Sequence, residues 1–397
     1  MRYFLLSLDA AGNWPPERTL IRALVDRGHE VHVASDANHE SDIVGAGARY
    51  VPYRRAAGRI ISGPNAAQNS QQQESEASEL ERVFKAVLLN PDFGDELAGA
   101  IERIEPDVVL VDMMLWSAIS AAEHSGLPTA VLWHTVFAAW GALRQLPPFA
   151  VELLNAQRQE LGLDAVTDVF SMAERAAATL VFTLDEFDMP SADLPETLHY
   201  VGPLACLPEP LPAYQLPWPA DDSRPLVLVS YSTSFQGQVD LLQRVVDALA
   251  ELPVRGLVTL GPAIEADQLK VPGNVVCETF VPHAAVLPAV DLVVTHAGHG
   301  TTMAAVTAGI PLLCTPMGRD QNEVGECVEH NGLGQVVSQE ASIEELRDAI
   351  AGRLSDTVMR QRCRAFADAL DLEAGLSTAI DVLEGLPQRK GEPRREK

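Results

Sequence analysis

The sequence predicts an α/β protein made of two Rossmann-like domains. Three observations carry that expectation. The chain has 397 residues, 47% of them apolar, enough for two domains that each bury a core. Short apolar runs of strand length alternate with helical patterns along most of it, as in a parallel sheet with helices on its faces. Prolines 203, 208, 210, 212, 217 and 219 interrupt the alternation and read as an extended linker. The expected division is 1–205 for the first domain, 206–224 for the linker, 225–375 for the second domain and 376–397 for the end of a C-terminal helix plus a basic tail.

Taken in order, Tyr3 to Leu8 reads as a buried strand. Pro15-Pro16-Glu17 opens a helix with Leu20, Ile21, Leu24 and Val25 on one face, and Gly28 ends it. His29 to Ser35 returns as a strand, completing a βαβ unit. Residues 58–79, rich in Gln, Asn and Ser, read as a long loop, either a surface connector or a lid. Val108 to Val111 is a strand with Asp112 at its end, and Thr129 to Trp133 is another, followed by His134. Ligands of open parallel sheets sit at the carboxyl ends of strands, so Asp9, Asp112 and His134 are expected to face one crevice. Core packing explains most of the aromatic residues of this half, but one or two of Trp116, Phe137 and Trp140 are expected to line an apolar pocket. A second βα series runs from Leu226 to about Leu354, and Asp356 to Glu384 is largely helical. Pro387 to Lys397, with five basic and two acidic residues, reads as a solvated tail.

A formal net charge of -26 argues against a nucleic-acid partner, because neutralising phosphates needs Lys and Arg. The five scattered cysteines fit a reduced, cytoplasmic protein, with Cys277 and Cys314 buried in apolar runs. Asp9 and Asn13 interrupt the apolar start, which therefore reads as a strand and not a signal peptide. No apolar stretch reaches membrane-spanning length, so stable membrane insertion is not expected. A homodimer is compatible with all of this.

The most informative stretch is His296 to Glu323, HAGHGTTMAAVTAGIPLLCTPMGRDQNE. An apolar strand, Leu292 to Thr295, leads into a glycine-rich turn and then a helical pattern from about Gly300. A strand, a Gly/Thr turn and a helix start make an anion site, because unpaired N–H groups and the positive end of the helix dipole face one point. A second apolar run, Ile310 to Thr315, ends in Gly318-Arg319-Asp320-Gln321, an acid–amide pair suited to gripping hydroxyls. No metal site is expected: the chain lacks an Asp-x-Asp pair, and His29 and His32 sit at i and i+3 of a strand, on opposite faces.

These motifs resemble those of the family-1, nucleotide-sugar-dependent glycosyltransferases of the GT-B fold, in which two such domains face a central cleft. The resemblance implies that His296 contacts the diphosphate, that Gly298, Gly300 and Thr301 form the phosphate turn, and that Asp320 and Gln321 bind the donor sugar. It extends upstream, to Phe280 and Val281 at the place of a nucleobase-stacking segment and to Ser232 and Thr233 at a phosphate-contacting strand end. It also implies a last helix that crosses back onto the first domain. The activity implied is inverting, metal-independent transfer of a sugar from a nucleotide diphosphate, dTDP or UDP, to a small apolar natural-product aglycone. The nucleotide sugar would be a co-substrate, and no cofactor is required.

Two positions depart from the pattern. Where the family places a basic His after the first strand, this chain has Asn13, an amide that cannot take a proton, while the partner Asp is present as Asp112. Where a Glu usually clasps the ribose, Ala304 stands. At the catalytic position Asn13 is expected to orient the acceptor, with Asp112 or His134 assisting its deprotonation. A pseudo-glycosyltransferase that only binds nucleotide or activates a partner, and a nucleotide-sugar epimerase of the same fold, remain the alternatives.

Overall fold

The computed structural model describes residues 1–9, 12–56, 81, 84–137, 146–189, 194–207, 214–231, 237–261 and 264–387. The 58–79 loop, Trp140, Ser232, Thr233, Pro208, Pro210, Pro212 and the tail from 388 lie outside these residues.

The first half is built from β1 (Arg2–Leu6), α1 (Trp14–Asp26), β2 (Glu30–Ser35), α2 (Glu40–Gly45), β3 (Arg49–Pro52), α3 (Pro91–Ile104), β4 (Val108–Asp112), α4 (Trp116–Ser125), β5 (Thr129–Trp133), α5 (Pro148–Glu160), α6 (Val169–Arg175), β6 (Ala178–Val181) and β7 (Leu198–Tyr200). Its strands form one parallel sheet in the order β3-β2-β1-β4-β5-β6-β7. The chain runs outward from β1 to β3 and then jumps to β4 on the other side. That reversal leaves a crevice beyond the carboxyl ends of β1 and β4, the place where such sheets bind ligands. β4 and β5 are buried along their whole length, as strands covered on both faces must be.

The second half repeats the plan: β8 (Leu226–Ser230), α7 (Val239–Ala250), β9 (Arg255–Thr259), β10 (Val275–Glu278), α8 (His283–Val286), β11 (Leu292–Thr295), α9 (His299–Thr307), β12 (Leu312–Cys314), α10 (Gln321–His330), β13 (Gly334–Val336), α11 (Ile343–Ser355), α12 (Thr357–Asp368) and α13 (Leu372–Gly385). The strand order is β10-β9-β8-β11-β12-β13, again all parallel, with the reversal between β8 and β11. This is the GT-B architecture.

Each sheet has an apolar core on both faces. Two features tie the halves together. Val136, Leu184 and Phe187 of the first half join the core of the second. α13 does the reverse: Ala379 and Leu383, with Leu386 just beyond, complete a core on the first sheet. A Cβ at Gly375 would stand 2.2 Å from the Val201 carbonyl oxygen, so only glycine lets α13 lie this close. His29 pairs with Glu384 at 2.8 Å and Arg27 with Asp381 at 3.5 Å along the same contact. All five cysteines are free; Cys314 is buried as expected, whereas Cys277 is only half-buried. Among the described residues no helix is long and apolar enough to cross a membrane.

Candidate active site

At the carboxyl end of β11 the chain turns sharply into α9. Ala297, buried in the second core, adopts the left-handed conformation with φ 64°. That conformation costs an L-residue about 1–2 kcal/mol, so the turn is held against local preference by its surroundings. Gly298 follows as the N-cap of α9. A Cβ there would lie 2.5 Å from Nε2 of His296, so glycine is what leaves the imidazole its place. The ring stacks near Tyr231, centroids 6.1 Å apart, and its Nδ1 is 3.4 Å from the Thr295 hydroxyl. Burial pushes its pKa down to about 4, so at neutral pH it offers a hydrogen bond and not a charge. Gly300 is exposed and Thr301 half-buried in the first turn of α9, where the N–H groups and the helix dipole meet solvent. The strand, turn and helix start expected from the sequence are thus present, in that order.

β12 leads into Gly318 (φ 142°) and Arg319 (φ 61°), a second turn in unusual backbone geometry. Asp320 is the N-cap of α10, but its side chain does not cap the helix. Its Oδ2 instead accepts a hydrogen bond of 2.5 Å from the hydroxyl of Thr135, in the loop after β5 of the first domain. Burial raises the Asp320 pKa. Gln321 turns inward, its Oε1 accepting the Met317 N–H at 2.8 Å. On the expectation that Asp320 grips donor-sugar hydroxyls, Thr135 occupies a lone pair such a hydroxyl would use, and Thr135→Val should tighten binding of a nucleotide sugar by roughly fivefold, one net hydrogen bond, without changing affinity for the bare nucleoside diphosphate. Paired calorimetric titrations check this; equal shifts for both ligands would show that Thr135 does not compete for Asp320.

Phe280 is 76% exposed, a flat ring free to stack on a base, whereas Val281 is buried in the second core. Within the segment expected at the nucleobase, the Val281 side chain therefore serves as an anchor. Ser232 and Thr233 lie outside the described residues.

Across the cleft, Asn13 and Asp112 meet at the β1/β4 reversal. Asn13 Nδ2 donates to Asp112 Oδ2 at 2.8 Å, and the Met114 N–H donates to Oδ1 at 2.7 Å. Asp112 thus orders its own loop and does not cap the helix at Ser117. His134, just past β5, brings Nε2 to 3.4 Å from Asp112 Oδ2 and 3.1 Å from Glu17 Oε1. Ser7 donates to the other oxygen of Glu17. Burial pushes Glu17 up to about 8 and Asp112 up to about 6, and pushes His134 down to about 4. At neutral pH the cluster therefore carries one negative charge, on Asp112, beside a neutral imidazole. Glu17 is the residue the sequence reading missed. In sequence it looks like an ordinary first-turn acid of α1; its one signal is the i, i+4 spacing from Asn13, which puts both on one helix face.

Two expectations on this side are corrected. Asp9 does not join the cluster: it accepts from Asn38 at 2.9 Å and lies 3.7 Å from His39. Trp116 and Phe137, 2% and 1% exposed, belong to the core, where Trp116 sets its edge against Phe84 and Phe137 packs on Trp133 and Phe170. They are not free to line an acceptor pocket, because they fill the space between sheet and helices. Glu17, Asp112 and His134 offer ligand atoms within 4.8 Å of one another, a spacing that a divalent cation also uses. His134 Nε2 is also within direct hydrogen-bonding reach of both carboxyl groups.

Residues 243–373 match the family described as Erythromycin biosynthesis protein CIII-like, C-terminal domain. The chain is similar to 4'-demethylrebeccamycin synthase of Lentzea aerocolonigenes, 25% identical over 425 residues that span 97% of this chain and 99% of that protein. Among solved structures it resembles the glycotransferase of kitacinnamycin, with a TM-score of 0.80 at 23% identity over 97% of this chain and 99% of that one. It also resembles the glycosyltransferase VinC in complex with dTDP, with a TM-score of 0.69 at 21% identity over 97% and 100%.

Proposed function

We propose that the chain is a family-1 natural-product glycosyltransferase of the GT-B type, and that it moves a sugar from a dTDP or UDP donor to an apolar aglycone bound over the first sheet, with inversion of the anomeric carbon; its fold, its glycine-rich turn and its relatives support this reading. One observation carries this reading. The anion-binding turn of β11–α9 and the Asn13–Asp112–His134 cluster both stand at sheet reversals and face one cleft, which the Thr135–Asp320 hydrogen bond spans. The α9 N-terminus and His296 stabilise the departing diphosphate. Asp320 and Gln321 fix the sugar. Asn13, its Nδ2 committed to Asp112, presents its carbonyl oxygen to orient the incoming O–H or N–H. The buried Asp112 in direct contact with Asn13, and His134 beside it, favour a working enzyme over a silent one. The test is incubation with dTDP- and UDP-sugars and a panel of phenolic, alcoholic and indolic aglycones, read by product mass. Nucleotide binding without transfer or donor hydrolysis would replace this reading with the silent one.

Dipoles and N–H groups meet the diphosphate charge, so turnover should persist in excess EDTA and gain nothing from added magnesium or manganese. Loss of turnover that a cation restores would overturn this. Ala304, half-buried on α9 one turn from Gly300, offers a methyl where a ribose-clasping carboxylate would stand. A missing hydrogen bond to a charged group is worth about 1.5–3 kcal/mol. We therefore expect dTDP to bind at least as tightly as UDP by calorimetry, in keeping with the dTDP held by VinC; clearly tighter UDP would mean that another residue grips the 2′-hydroxyl.

A further inference from the structure

At the floor of the cleft, a small cavity of about 20 Å³ lies between the domains. Gly12, Pro16, His134 and Phe182 border it from the first domain, and His299 and Gly300 from the second. Its volume is room for about one water. Two imidazole nitrogens at this place are buried and have no hydrogen-bond partner: His134 Nδ1 and His299 Nε2. The rings are close enough that His134 disfavours the charged form of His299. His134 is also held asymmetrically. Two carboxyl groups, from Glu17 and Asp112, face its Nε2, and Phe182 packs on the ring with centroids 5.0 Å apart. With the Glu17 proton on Oε2, the oxygen that meets Ser7, Oε1 and the Asp112 carboxylate both accept from Nε2, which fixes a proton there and leaves the lone pair on Nδ1. Gly12, the exposed neighbour of Asn13, is part of the cavity's wall.

We propose that His134, not Asn13, accepts the proton of the sugar acceptor, taking it on Nδ1 through one water held between His134 and His299, with Glu17 and Asp112 as positioning residues that keep Nε2 protonated. This rests on the glycosyl-transfer reading. In the step, the acceptor oxygen or nitrogen forms its bond to the anomeric carbon as the bond from that carbon to the diphosphate oxygen breaks. The electron pair leaves with the diphosphate. The acceptor's proton passes to the water, and a water proton passes to Nδ1. The imidazolium so formed lies against the Asp112 carboxylate. Asn13 serves by orienting Asp112 through Nδ2. The titratable groups facing the His134 ring are Glu17 on α1, Asp112 at the end of β4 and His299 on α9, with the Cys206 thiol at the cavity's edge.

Two measurements on the full chain test this. The first is ¹⁵N NMR of the imidazoles in wild type, with His134 assigned by difference from His134→Gln. The proposal requires a proton on Nε2 and a bare Nδ1 at pH 7; a protonated Nδ1 overturns it whether or not the chain transfers sugar. The second is kinetics with one phenol and one alcohol acceptor. His134→Gln should lower kcat for the alcohol by about 10²–10⁴-fold, and less for the more acidic phenol, with dTDP affinity unchanged by calorimetry. Glu17→Gln should lower kcat about tenfold and move the acidic limb of its pH profile, with KM unchanged; a merely structural role would lower the melting temperature and leave that limb in place. An alcohol rate within threefold of wild type in His134→Gln overturns the proposal. Absence of any turnover in wild type, donor hydrolysis included, overturns both the base and the glycosyl-transfer reading, while the NMR result still stands for the ring.

Discussion

Gly298→Ala should lower kcat by about 10²–10³-fold, the size of losing one preorganised donor to a developing negative charge, while leaving the fold intact. The backbone does not demand glycine here, since φ −61° and ψ 131° suit any residue. The side chain does. The added methyl carbon would stand 2.5 Å from Nε2 and 2.6 Å from Cε1 of His296, closer than carbon and nitrogen approach without a bond. The ring must swing away from the Thr295–Tyr231 wall that now holds it. His296→Ala should cost the same factor, because both variants remove one group from one place. The double variant should be no worse than either single, as neighbours that act as a unit are not additive. Rates for the three variants, with thermal melts to show that each is folded, settle the matter. A Gly298→Ala enzyme at the wild-type rate would show that the His296 ring is not needed where it sits.

The second large effect is on stability. Wild type should lose on the order of 2 kcal/mol between about pH 6.5 and pH 8, and Glu17→Gln should not. The Glu17 pKa is raised by burial from 4.5 to about 8, so the folded chain holds this proton more tightly than the unfolded one. Its contribution is present in full below about pH 4.5 and gone above about pH 8. Asp112, raised to about 6, acts in the same direction at lower pH. His134, lowered to about 4, acts in the opposite one: its penalty is complete below about pH 4 and absent above its ordinary value of 6.5. Between 6.5 and 8 Glu17 is therefore unopposed within the cluster. Urea midpoints at both ends of that window, for wild type and variant, give the comparison; equal losses in the two proteins would assign the pH dependence elsewhere.

What could be read from the sequence was whatever is local. β4, β5 and β8 are buried on both faces, so they appear as unbroken apolar runs. The donor box is contiguous: strand, turn and helix start lie within a dozen residues, and each carries its own signal. The first helix was legible because Pro15 and Pro16 mark its start and Gly28 its end. What escaped was whatever two distant segments make together. Glu17 meets His134 across 117 residues and Thr135 meets Asp320 across 185. No pattern within a window reports such a meeting. Trp116 and Phe137 failed for a related reason. Aromatic type marks a residue as apolar and large, but which face of the sheet it fills depends on partners such as Phe84 and Phe170 that only the fold brings near.

The close seat of α13 on the first domain has a consequence for how the protein is made. A ribosome releases the chain from its N-terminus, and domains commonly fold as they emerge. This one cannot follow that order. Ala379, Leu383 and Leu386 complete the core beneath β1 and α1, yet they are delivered after every strand of the second sheet. The domain synthesised first is thus finished last, and its early helix α1 keeps an uncovered apolar flank through most of translation. Any chimera that exchanges the donor half for another must leave α13 with the N-terminal half it closes.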